Sequence, residues 1–190
     1  FMDNVMLQEI LDSFKQDLDK SVNHLKSEYQ ILRAGRANPH ILDRIMVDYY
    51  GTPTPLNQMS NIAVAEARMI TVSMWDISML KEAKKAIEVA DLGVSVSDDG
   101  RIIRLIFPVL TEERRREIAK QVKSLLENCK ISMRSARRDA LDMFKTLKKD
   151  GEMSEDEYAG AEKDIQKIID SYVEKVDEMC AAKEKEIMEV

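Results

Sequence analysis

No apolar run in the chain reaches the length of a membrane span, and no signal-peptide pattern opens it. Met2, after Phe1, is the expected native start. Cysteine is scarce. Cys129 and Cys180 fall on or beside apolar helix faces, so free buried thiols in a reducing cytosol are expected rather than a disulfide. The only two histidines, His24 and His40, have no Cys, His or paired carboxylates at ligand spacing, which argues against a metal site. A phosphate-binding Gly-x4-Gly-Lys-Ser/Thr loop is missing, and Gly35-Arg36-Ala37 is no dinucleotide fingerprint. There is no Gly-x-Ser-x-Gly elbow and no cysteine in an activating context. Asp98-Asp99 suits a turn better than an acid/base pair. These absences point to a binding or remodelling factor without a cofactor, not to an enzyme.

Aromatic residues are 5% of the chain and charged residues 34%, a balance that favours long helices. At 190 residues and 44% hydrophobic, the chain has enough apolar side chains for a core and is one large or two small domains. Repeats and low-complexity stretches are absent. From Thr111 to Lys149 apolar residues recur at Ile118, Val122, Leu125, Cys129, Met133, Ala136, Ala140, Met143 and Leu147. Those steps of three and four mark one face of a single long helix. Thr111 and an acidic first turn would start it, and Asp150-Gly151 would end it. A rod of roughly 58 Å follows from 1.5 Å per residue, so it must lie along other helices.

The opposite face of that helix is cationic. With Arg134 as the origin and 100° per residue, Arg116, Lys120, Lys123, Lys130, Arg137, Arg138, Lys145 and Lys148 fall within about 60° of it. Between Thr111 and Lys149 there are 12 Lys or Arg against 6 Asp or Glu, a local charge of +6 in a chain of net charge −6. A positive field set against the chain's average suggests a polyanionic partner.

A first long helix is expected over Asp3–Leu32, with Leu7, Leu11, Phe14, Leu18, Val22, Leu25, Tyr29 and Leu32 as its seam. Gly35 and Pro39 break it. Strands are expected at Ile45–Tyr50 and Arg68–Met74, with a short apolar piece at Ile62–Val64 between them. Gly51-Thr52-Pro53-Thr54-Pro55 reads as a turn-rich break, because proline cannot donate to a ladder. A short helix over Met79–Asp91 precedes a hairpin, Val94–Ser97 with Ile102–Ile106, closed by Asp98-Asp99-Gly100. A third long helix starts at Ser154, where Ser154 and Glu157 form a capping-box pattern, with Tyr158, Ala161, Ile165, Ile168, Tyr172, Val176 and Met179 as its seam. From Ser154 to Val190 there are 12 acidic and 5 basic residues. The fold class is therefore α+β. Residues 1–33 and 108–190 form a three-helix bundle, and 34–107 an inserted α/β domain. The two crossings, at Ala34-Gly35 and Phe107-Pro108, allow either a hinge or a rigid, packed elbow.

Four stretches carry a family resemblance. Leu32-Arg33-Ala34-Gly35-Arg36-Ala37-Asn38-Pro39, Tyr49 to Leu56, Leu110 to Arg115, and Arg134-Ser135-Ala136-Arg137-Arg138-Asp139-Ala140 resemble, in order along nearly the whole chain, the bacterial ribosome recycling factors. The resemblance implies an L-shaped molecule on a flexible elbow. It implies a cytoplasmic monomer, away from membranes, that binds the large ribosomal subunit after translation termination. With elongation factor G, which binds the GTP, it would split the post-termination ribosome into subunits. Arg134, Arg137 and Arg138 match the family's basic motif against 23S ribosomal RNA; Lys130 shares their face. Arg33 and Arg36 match arginines near the elbow. The competing reading is a coiled-coil adaptor that offers its apolar seams to a protein partner and has no affinity for ribosomes.

Overall fold

The computed structural model describes residues 2–32 and 36–188, with side chains from Val5 onward. The fold is α+β. Two compact units are present: one takes Phe1–Tyr29 and Ala119–Lys185, the other Gln30–Ile118 and Glu186–Val190.

The first unit is built on three long helices: α1 (Met2–Ile31), α3 (Glu112–Lys149) and α4 (Glu155–Met188). Their ends are set by local chemistry. Thr111 Oγ1 accepts from the Arg114 N–H at 3.1 Å and caps α3. At the other end the Glu152 N–H bonds the Leu147 carbonyl and the Gly151 N–H bonds Lys148, at 2.9 and 3.1 Å. That pair is a Schellman stop, with Gly151 at φ +77° as the left-handed residue it requires. Two residues on, Ser154 and Glu157 exchange hydrogen bonds of 3.1 and 3.3 Å and open α4 as a capping box.

Leu11, Phe14, Leu18, Val22, Leu25 and Tyr29 of α1 are buried, so its seam lies where its periodicity predicts. On α3 the seam runs Val122, Cys129, Met133, Ala136, Ala140 and then Phe144, not Met143. Met143 is half exposed because the step after Ala140 is four residues, not three, and Leu125 and Leu147 are only partly buried. Ala161, Ile165, Ile169, Val176 and Cys180 form the α4 seam, so Ile169 rather than Ile168 occupies its centre. Polar bonds tie the helices. Tyr29 donates to the Val122 carbonyl at 2.9 Å, and burial pushes its phenol well above the usual range. Ser21 and Ser132 share a 2.8 Å hydrogen bond, and Tyr172 donates to Asp19 at 2.7 Å. Both cysteines are free and buried. Burial raises both thiols, which leaves them unreactive.

The second unit holds six strands and a short helix. β1 (Met46–Tyr49) and β2 (Thr52–Pro55) form a two-stranded antiparallel sheet. β3 (Ser60–Glu66), β4 (Met69–Met74), β5 (Ser95–Asp98) and β6 (Ile102–Ile106) form a four-stranded one, in the order β3-β4-β6-β5. The β2 strand corrects the expectation of a turn there. In its register Pro53 faces Asp48 and Pro55 faces Met46, while Thr52 and Thr54 face Tyr49 and Val47. The Leu56 N–H bonds the Ile45 carbonyl at 2.9 Å, which sets the alternation. Both prolines therefore stand at the non-bonded pairs, where no ladder donor is missing.

β4 and β6 alternate, with Ile70, Val72, Ile103 and Leu105 fully buried. α2 (Leu80–Val89) supplies Leu80, Ala83 and Ile87 to the same core, and the β1 side adds Leu42, Val47 and Leu56. Phe107 is also part of this core, at 1% exposure, and its N–H bonds the Arg68 carbonyl at 2.8 Å.

The β5–β6 turn makes a titration prediction. The Asp99 carboxylate accepts from the N–H groups of Ile102 and Arg101 and from Arg104. The Ile102 and Arg101 N–H bonds, then Arg104, hold its carboxyl down at about 2. A depressed folded-state value contributes stability above the unfolded carboxyl's pKa of about 4, and this is lost as pH falls through about 2. A carboxyl-detected NMR titration should find the Asp99 midpoint near 2. Arg104→Ala should raise it only partly, because the two backbone donors remain. A wild-type midpoint near 4 would mean that the turn is open in solution.

Candidate nucleic-acid interface

An α3 of this length carries its side chains on a stiff axis roughly 57 Å long. The stripe opposite its seam stays outside. Arg116, Lys120, Lys123, Arg134, Arg138 and Lys145 are exposed. Lys130, Arg137 and Lys148 are half-buried, and these three lie on one flank of the stripe. Partners on α4 account for the two lysines. Lys130 Nζ stands 2.7 Å from Asp177 of α4, and Lys148 Nζ lies 4.5 Å above the Tyr158 ring, also of α4. The acidic helix thus covers one flank of the cationic stripe and leaves the crest and the other flank open.

The predicted site residues divide accordingly. Lys130, Arg134, Arg137 and Arg138 stand on one face of α3 in the first unit. Arg138 is exposed and has no carboxylate within 4 Å among the described residues. Arg134 Nη2 donates to Glu127 Oε1 at 2.9 Å, with both side chains more than half exposed. Arg137 is half-buried, and its Nε is buried without a hydrogen-bond partner among the described residues. A desolvated guanidinium N–H is an unmet donor, and an incoming acceptor that reaches it makes a charge-assisted bond. Arg36 is exposed and belongs to the second unit, where the neighbouring Ala37 N–H is fixed to the Ala67 carbonyl at 2.7 Å. Asn38 caps the 3-10 turn that follows and donates to the Gln30 carbonyl. Arg33, Ala34 and Gly35 lie outside the described residues. Of the other two proposed hinge positions, Phe107 is a core residue of the second unit and Pro108 is exposed.

Sequence reasoning missed the carboxylates. Glu127 stands seven residues before Arg134, beyond the three- and four-residue spacings usual for helix pairs. Asp177 is 47 positions from Lys130, and only the fold brings them together.

The face can hold phosphate groups by forked, permanently charged donors. Little else on the protein offers chemistry. His24 faces Glu28 at 4.0 Å and His40 faces Asp43 at 3.0 Å, both at the surface. Among the described residues no group of three His, Cys, Asp or Glu could hold a metal ion. No helix among the described residues is long and apolar enough to cross a membrane. An open groove of about 710 Å³ between α1 and α3 is floored by the Ser21–Ser132 bond and lined by mixed charges without a nucleophile–base pair. The apolar seams that an adaptor would offer are buried within the first unit.

Comparison with known proteins adds the following. A family model described as "Ribosome recycling factor" matches residues 25–188. The ribosome-recycling factor of Caldicellulosiruptor saccharolyticus is 52% identical over 184 residues, 97% of this chain and all of that one. That of Clostridium tetani is 53% identical over 185 residues, with the same coverage. A solution structure of a ribosome recycling factor matches with a TM-score of 0.79 at 34% identity, over 97% of this chain and 98% of the other. A second match, with a TM-score of 0.65 at 39% identity, covers 95% of this chain and 98% of the other. It comes from models for the T. thermophilus ribosome recycling factor and the E. coli elongation factor G bound to the E. coli post-termination complex.

Proposed function

The chain belongs to the ribosome recycling factor family, and from that premise we propose that it binds the large ribosomal subunit after termination and, with elongation factor G and GTP, splits the ribosome into subunits. The observation that carries this reading is the exposed cationic crest of α3, a +6 stretch in a chain of −6. Ribosomal RNA is the polyanion such a crest fits. A stiff helix presents several guanidiniums at fixed intervals, so phosphates can be met without ordering a loop. Arg137 and Arg138 are the principal contacts, Arg134 and Lys130 add to them, and Arg33 and Arg36 make a separate contact from the linker side. The placement of a 39%-identical relative with elongation factor G supports giving this chain the same protein partner. The sequence holds no phosphate loop, so the GTP is the partner's. The site of action is the cytoplasm, and the acting form a monomer.

In this reading the functional domains are 1–33 with 108–190, and 34–107. The joint between them lies at Ala34-Gly35 and Phe107-Pro108. Phe107 is anchored in its core, so rotation on that side starts at Pro108. The push of elongation factor G on the smaller domain then reaches the RNA contacts through the rod.

The test is sedimentation of post-termination ribosomes through a sucrose gradient with the protein, elongation factor G and GTP. Free subunits are expected only when all three are present. Ribosomes that sediment intact with the full mixture would refute the reading.

A further inference from the structure

Two of the four cations assigned to RNA on α3 are already occupied in the free protein. Arg134 reaches back along the helix to Glu127 at 2.9 Å, and Lys130 reaches across to Asp177 at 2.7 Å. Side chains on a helix lean toward its N-terminus, so Arg134 lies along the rod rather than projecting from it. Carboxylate and phosphate present similar oxygens to a guanidinium or an ammonium. We propose that Glu127 and Asp177 act as internal stand-ins for phosphate: they hold Arg134 and Lys130 until correctly placed RNA phosphates displace them, so that binding at these two positions exchanges one anion for another and is weaker by the strength of the pairs. The proposal rests on reading α3 as the RNA-binding face.

Exposure decides that these pairs are exchangeable. Glu127 is 60% and Asp177 50% exposed, so a displaced carboxylate returns to water without leaving a stranded charge. Exposed pairs are weak, which limits the barrier to roughly a two- to five-fold effect each. An unrelated duplex is held by whichever cations are free, such as Lys120, Lys123, Arg138 and Lys145, and must break the pairs to gain more. A site with phosphates in register at both positions breaks the pairs and gains both contacts, less the strength of the pairs.

The exchange also has a signature in salt. RNA binding releases counterions in proportion to the phosphates it neutralises. A duplex that leaves a pair closed neutralises one phosphate fewer, so each closed pair lowers the slope of log K against log salt by about 0.7–0.9.

The full chain would be titrated against isolated large ribosomal subunits and against a duplex RNA of unrelated sequence, over a series of salt concentrations. Glu127→Gln and Asp177→Asn should each tighten subunit binding two- to five-fold and duplex binding by no more than that, with a duplex salt slope steeper by about 0.7–0.9. In an Arg134→Gln background, Glu127→Gln should have no effect, because the cycle isolates the pair. Asp164→Asn, an exposed carboxylate more than three turns from Asp177 and on the other side of α4, makes the same charge change away from both pairs. If it tightens subunit binding equally, or if the Glu127 effect survives without Arg134, overall charge is the cause and the proposal falls. If Arg134→Gln and Arg138→Gln leave both ligands bound as tightly as before, the RNA-face reading itself fails. The two failures are distinct.

Discussion

Arg137→Ala combined with Arg138→Ala is expected to weaken binding to isolated large ribosomal subunits by about 2–5 kcal/mol near physiological salt, a loss of at least roughly thirty-fold. Each side chain contributes on the scale of a charge-assisted hydrogen bond. The two differ in how they contribute. Arg138 is exposed and has no ion-pair partner among the described residues, so it gives up little on binding beyond side-chain freedom. Arg137 has already set its stem against the protein, and its buried Nε is an open donor whose desolvation precedes binding. The salt slope should fall by about 1.4–1.8, the counterions of two phosphates. Arg137→Lys keeps the charge but loses the fork, and should lie between wild type and the double variant. Helix content by circular dichroism should be unchanged, which separates lost binding from lost fold. Subunit binding at wild-type strength would move the RNA surface off this face of α3.

Phe144→Ala should destabilise the first unit by about 3–5 kcal/mol, the usual range for emptying a buried aromatic site. Typical total stability is about 5–15 kcal/mol, so one substitution could remove a third or more of it. The melting temperature should drop by about 6–20 °C. Phe144 has no measurable exposure and no polar atom that could draw water into the cavity. Met143→Ala is the companion. That side chain is 50% exposed, and its loss should change stability by less than about 1 kcal/mol. Urea or thermal unfolding of both variants fixes the rotation of α3. A larger loss at Met143 would mean that α3 is turned about its axis relative to the arrangement described.

The Phe144 result also marks how far the sequence could be read. Helix ends were legible because their signals are local: Thr111, Ser154 with Glu157, and Gly151 act within a few residues of themselves. The α1 seam was legible because its steps of three and four leave one choice at each turn. Beyond Ala140 they leave two, Met143 and Phe144, and only packing against the other helices decides. Ile168 and Ile169 pose the same choice on α4. The β2 strand was hidden for another reason. Two prolines in four residues look like a break until the register puts them at non-bonded pairs.

The candidate site was legible in part. The periodicity of Lys and Arg placed Lys130, Arg134, Arg137 and Arg138 on a common face, and the structure has them there. Which of the four are engaged could not be read, because Asp177 approaches from a separate helix and Glu127 from two turns away. The half-burial of Arg137 is likewise a property of the packed helices.

The register of β2 has one more result. The backbone positions that point away from β1 are those of Pro53 and Pro55, so the outer rim of this strand presents carbonyls and no N–H donors. A strand from another molecule would find only half of the bonds that it needs there. That edge of the small sheet is thereby a poor template for a further strand, a property written into the same Thr-Pro-Thr-Pro that disguised the strand.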